Sequence, residues 1–147
     1  TLESRGLGDV YKRQSKELLM SPQLVLTIIG AINILMGIAI YAGAESIVTG
    51  GAFSEYLIND ASIKVGTYMH EAVASFMIAF GCVAILSRDM EDASAKKLLF
   101  AIGVAYVINL ASVLLHVMNP EVHPPIPAVF IILVLTGLSF YTSKMSK

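Results

Sequence analysis

The sequence predicts an all-α, polytopic membrane protein: one domain of four transmembrane helices packed as an antiparallel bundle. Three observations predict it. The 147 residues are 56% hydrophobic and only 14% charged, with a mean hydropathy of +0.73, whereas soluble domains carry roughly 25% charge. The few charges are clustered: no Asp, Glu, Lys or Arg falls between Glu17 and Glu45, and residues 72–87, 98–120 and 122–143 are equally bare. Each bare stretch holds close to the roughly 20 apolar residues that a helix needs to cross a hydrocarbon core of about 30 Å.

Residues 1–14 are polar and aperiodic and resemble translated adapter or vector sequence, so they are set aside as a non-native scar or tail. Residues 15–147 form the expected domain. The first span reads as 24–43; it is too long for a signal peptide and lacks a small-residue cleavage pattern. The second reads as 65–86, the third as 98–117 and the fourth as 126–143. The connection 44–64 contains Gly50-Gly51, read as a turn, and Phe53–Asp60, read as a brief helix lying at the membrane interface. The connection after the third span, Asn119–Pro127, is proline-punctuated and rigid.

Charge placement sets the orientation. Of the seven Lys and Arg after residue 14, six (Lys16, Arg88, Lys96, Lys97, Lys144 and Lys147) fall on one side of the spans, and Lys64 alone falls on the other. The positive-inside rule therefore predicts both termini in the cytoplasm of a cell membrane, on this layout a bacterial inner membrane. The ten Lys+Arg against eleven Asp+Glu give no basic excess, which argues against nucleic acid as a partner. Cys82 is the single cysteine, so one chain has neither an internal disulfide nor a thiolate cluster, and its place in an apolar span reads as packing.

An ionisable residue inside a span is costly and points to function. Glu71 is the only charged residue within the four spans. It lies six residues into the second span, about 9 Å along the helix, in the outer leaflet. Glu71, Ser75, Ile78 and Cys82 recur at 4-3-4 spacing and share a stripe expected to face another helix. The third span carries a matching seam of Ala105, Asn109, Ser112 and His116. All three histidines (His70, His116 and His123) fall on the outer side, and Asn33 lies near the middle of the first span between Gly30 and Gly37.

These residues support several readings. Asn33 and Asn109 suit interhelical hydrogen bonding, and Glu71 with His70 or His116 suits a carboxylate–imidazole tie between helices. The sharper reading is an outer-leaflet pocket of Glu71, His70, His116, Ser75, Asn109 and Asn33 that takes a lipid head group, a quinone or a proton. Sharper still is a metal or haem site drawn from His70, Glu71, His116 and His123, since imidazole and carboxylate suit zinc, iron or copper. Against it, no H-x-x-x-H or H-E-x-x-H spacing occurs, and neighbours such as His70 and Glu71 point about 100° apart on a helix. No phosphate-binding glycine loop or nucleophile elbow is present.

The four-span layout over residues 22–143 resembles the DoxX-like group of small four-helix membrane proteins. So do the carboxylate within His70-Glu71-Ala-Val-Ala-Ser-Phe-Met-Ile-Ala-Phe-Gly81 and the basic turn after Ala84-Ile-Leu-Ser-Arg88. The resemblance implies a polar pocket between helices that includes Glu71. Some members of the group are accessory subunits of quinone-linked sulfur oxidation; here a single cysteine offers no redox pair. The expectation is a non-enzymatic binding or accessory subunit, in contact with lipid and with a membrane-protein partner or further copies of itself. The alternatives are a redox component holding quinone, haem or metal at the same residues, and a small oligomeric transporter. The last is disfavoured by the lack of a midplane acid or a broken helix.

Overall fold

A computed structural model describes residues 21–52, 58–117, 119 and 124–144. The expected scar at 1–14, most of the interfacial segment 53–60 and His123 lie outside the described residues. Among the described residues there is no strand, and four helices are long and apolar enough to cross a membrane.

The first two helices begin at polar caps that satisfy free N–H groups, and the second and third begin several residues before the apolar run. Helix α1 spans Pro22–Ile47; the Ser21 hydroxyl accepts from the Leu24 N–H at 3.2 Å, and proline occupies the first turn, where its missing donor costs nothing. Its far end widens into a π-helical turn, Val48–Ala52. Helix α2, Asp60–Leu86, opens with a capping box: the Asn59 side chain accepts from the Ala61 and Ser62 N–H groups, and the Asn59 N–H donates to Ser62 Oγ. A tight turn over 87–91 leads to α3, Asp92–His116, which carries Asp92 in its first turn, where the helix dipole favours an acid. Helix α4, Ile126–Lys144, follows Pro124-Pro125 and ends on a favourable Lys144.

Helices α1 and α2 meet backbone to backbone. A Cβ on Gly30 would lie 2.7 Å from the Gly81 carbonyl oxygen, one on Gly81 would lie 2.6 Å from that of Gly30, and one on Gly37 would lie 2.8 Å from that of Ala74. The contacts descend α2 as they ascend α1. Such close approach gains dispersion and weak Cα–H···O contacts, the terms that associate helices wherever no hydrophobic drive acts between them. Helices α3 and α4 pair differently: Phe140 lies over Gly103 and meets Phe100 edge to face, with ring centroids 5.6 Å apart.

The two pairs join along part of their length. Val25, Leu26, Ile29, Ala84, Ala95, Leu99, Ile102, Tyr106 and Leu135 form one buried cluster. Gln23 Nε2 donates to Asp92 Oδ1 at 2.7 Å, tying the start of α1 to the start of α3. Beyond Tyr106 no described residue of α3 is buried, and none of α4 is buried before Leu135. The half containing residues 21–33, 81–106 and 135–144 is packed; the half containing 107–116 and 126–134 is open.

Hydroxyls within the helices mostly bond their own backbone. Thr27, Thr136 and Ser139 each donate to the carbonyl four residues back, which hides a polar group without a partner helix. Thr142 is buried with no hydrogen-bond partner for its hydroxyl among the described residues.

Candidate functional site

The polar residues of the spans fall into one buried pair and two outward stripes. The buried pair sits at the boundary between the packed and open halves. Asn33 and Tyr106 are 6% and 8% exposed, so their polar atoms are cut off from solvent and need each other. Asn33 Nδ2 donates both to the Ile29 carbonyl at 2.8 Å and to the Tyr106 hydroxyl oxygen at 2.6 Å. The Tyr106 ring meets Phe80 of α2 at 6.0 Å and 73°, so α1, α2 and α3 converge at this level. Of the two expected bridging amides, Asn33 ties helices together within the chain.

Asn109 does not do so: it is exposed on α3, as are Ala105, Ser112 and His116. None of the Asn109, Ser112 and His116 side chains has a hydrogen bond or ion pair among the described residues. The 4-3-4 seam is present as spaced, but it turns away from the buried cluster.

On α2, Phe80 marks the face turned to α3. Glu71 lies nine residues earlier, and nine steps of roughly 100° place it about 180° away. Ile78 of the same stripe packs on Gly37 of α1, while Ser75 and Cys82 are exposed, so the stripe runs along the outer edge of the α1 contact. Glu71 is half-buried, and its carboxylate has no hydrogen bond or ion pair among the described residues. The Ser75 hydroxyl donates to the Glu71 backbone carbonyl at 2.9 Å and leaves the carboxylate free.

His70 is half-buried, with Nδ1 2.8 Å from the Gly66 carbonyl oxygen. A carbonyl only accepts, so Nδ1 carries the proton and Nε2 is the open acceptor of the neutral ring. No hydrogen bond or ion pair joins His70, Glu71 and His116. Among the described residues no three His, Cys, Asp or Glu side chains are grouped to hold a metal. Of the six residues the sequence assigns to one pocket, Ser75 and Glu71 share a stripe and Asn109 and His116 share another that faces a different way; His70 bonds the Gly66 carbonyl of its own helix, and Asn33 belongs with neither stripe.

Sequence reasoning did not single out Tyr106 or the Gln23–Asp92 bond. Tyr106 counts as hydrophobic in any composition, but its place was a usable signal. Membrane tyrosines concentrate at the interfaces, and one in the middle of a span needs a buried partner for its hydroxyl. Comparisons of the chain with protein-family models, curated proteins and solved structures return no match.

Proposed function

We propose that this chain is a multi-pass protein of a cell membrane, an antiparallel four-helix bundle with both termini in the cytoplasm. On this reading it acts as a non-enzymatic binding or accessory subunit of the general kind its DoxX-like layout implies. One observation carries the reading: the Glu71 carboxylate and the His116 imidazole lie on apolar helices long enough to cross a membrane, and among the described residues neither has a hydrogen bond or ion pair. A half-buried carboxylate in such a setting needs a counter-charge or hydrogen-bond donors. Since the described residues of the bundle supply none, this reading takes the partner from outside the chain.

The redox alternative has one observation in its favour, the Nε2 of His70 left open by the Nδ1 bond to Gly66. Metal analysis and an absorbance spectrum of detergent-purified protein separate the two. The accessory reading expects neither a Soret band nor stoichiometric metal, and either result would replace it.

Photocrosslinking in native membranes tests the reading directly. A benzoylphenylalanine at Ser75 or at Ser112 is expected to capture protein, while one at the apolar, 66% exposed Phe130 captures lipid. Lipid capture alone at all three positions overturns the proposal.

A further inference from the structure

The geometry points to a second copy of this chain as the group that completes the site: Glu71 on α2 of one copy pairs with His116 on α3 of the next. This rests on the accessory-subunit reading and names its partner. Two facts combine. The stripes turn outward in different directions, so they do not meet within one chain. They are also complementary, one bearing a carboxylate and a hydroxyl, the other an imidazole and a hydroxyl.

Depth provides an independent check. Copies in a bilayer share one orientation and one depth, so two different faces can pair only if their polar residues lie at equal levels. The Phe80–Tyr106 ring contact fixes a common level for α2 and α3. At a rise of 1.5 Å per residue, Glu71 lies about 13.5 Å from that level and His116 about 15 Å, both toward the open half. Ser75 and Ser112 lie about 7.5 Å and about 9 Å from it in the same direction. Both pairs match to within about 1.5 Å, one residue's rise.

A twofold contact would do worse. The α2 stripe against itself sets Glu71 beside Glu71, and the α3 seam against itself leaves the carboxylate without a counter-charge. Face-to-different-face contact is heterologous, and rotation about the membrane normal closes it into a ring while keeping every terminus on the same side. The small residues Ala79 on α2 and Ala105 on α3, both exposed, let the two faces approach closely.

The test uses the full chain in native membranes with Cys82→Ala as background. Two differently tagged chains are co-expressed, one carrying Ser75→Cys and the other Ser112→Cys, and treated with a short bis-maleimide. The expected product joins the two tags, and adding Glu71→Gln lowers its yield about fivefold, the scale of one exposed ion pair. The charge exchange Glu71→His with His116→Glu restores the yield. Crosslinks between identical positions, or a yield indifferent to Glu71→Gln, overturn the pairing. Capture of a different protein overturns it while leaving the accessory reading intact. No protein crosslink, with a monomer mass in nanodiscs, removes both.

Discussion

Replacing Gly81 with alanine adds one methyl group where α1 and α2 touch. That carbon would lie 2.6 Å from the Gly30 carbonyl oxygen, 2.7 Å from Ile34 Cγ1 and 3.0 Å from the Ile34 nitrogen. Two of these neighbours are backbone and cannot rotate aside. To reach an ordinary contact the helices must part by about 0.7 Å, a gap that forfeits a quarter to a half of the dispersion energy along the seam. The expected cost is about 1–3 kcal/mol. Gly30→Ala forces apart the same pair of backbones, since its Cβ would lie 2.7 Å from the Gly81 oxygen. Once one substitution has opened the seam the other meets less resistance, so the double variant should cost less than the sum by about 1 kcal/mol. Gly43 and Gly137 serve as controls, because a Cβ on either meets nothing within 4 Å. Alanine there should be neutral or stabilising by up to about 1 kcal/mol. Unfolding by SDS from a mild detergent, followed by far-UV circular dichroism, measures all five variants. A Gly81→Ala protein as stable as Gly43→Ala, or strict additivity of the pair, would refute the close-packed seam.

Three further outcomes follow from the same structure. Asn33→Leu and Tyr106→Phe, combined in a double-mutant cycle, should show a coupling of about 1 kcal/mol, within the range for hydrogen bonds between membrane helices; a coupling near zero in the same unfolding assay would count against the bond. Asn59→Ala removes the cap of α2 and should cost about 1 kcal/mol, with faster amide exchange confined to the first turn at Ala61–Ile63. Alkaline phosphatase fused after Asn59 should be active and fused after Met90 inactive, as both termini in the cytoplasm require; the reverse pattern would invert the topology.

The helices were legible in the sequence because charge is excluded from hydrocarbon, so the bare stretches read as candidate spans, and each lies in a helix long and apolar enough to cross a membrane. Their beginnings were not: α2 starts at Asp60 and α3 at Asp92, five and six residues before the predicted spans. Hydropathy reports the segment in lipid, whereas helices begin where a capping group or a favourable acid can serve the free N–H groups, and Asn59, Ser62 and Asp92 are polar. The spacing that placed Asn109, Ser112 and His116 on one stripe was equally readable. Its direction was not, because α3 is apolar on all its other sides and nothing in its pattern marks an inner face. Packing sets that direction through Gly103 under Phe140 and Tyr106 against Asn33. The choice between the two asparagines likewise depended on which one faced a tyrosine.

The ending of buried packing at Tyr106 and Leu135 has a mechanical consequence. Two helix pairs clamped along one half and free along the other behave as levers with a pivot at the Asn33–Tyr106 bond. His116 is ten residues from that pivot, an arm of about 15 Å, so a tilt of about 4° between the pairs displaces it by about 1 Å. On the membrane reading, lipid chains and neighbouring proteins oppose such a tilt, because no described residue of α3 beyond Tyr106 or of α4 before Leu135 is buried. In a bilayer, the lateral pressure and thickness of a single leaflet would then set the spacing of the helix ends, while the clamped half keeps its geometry.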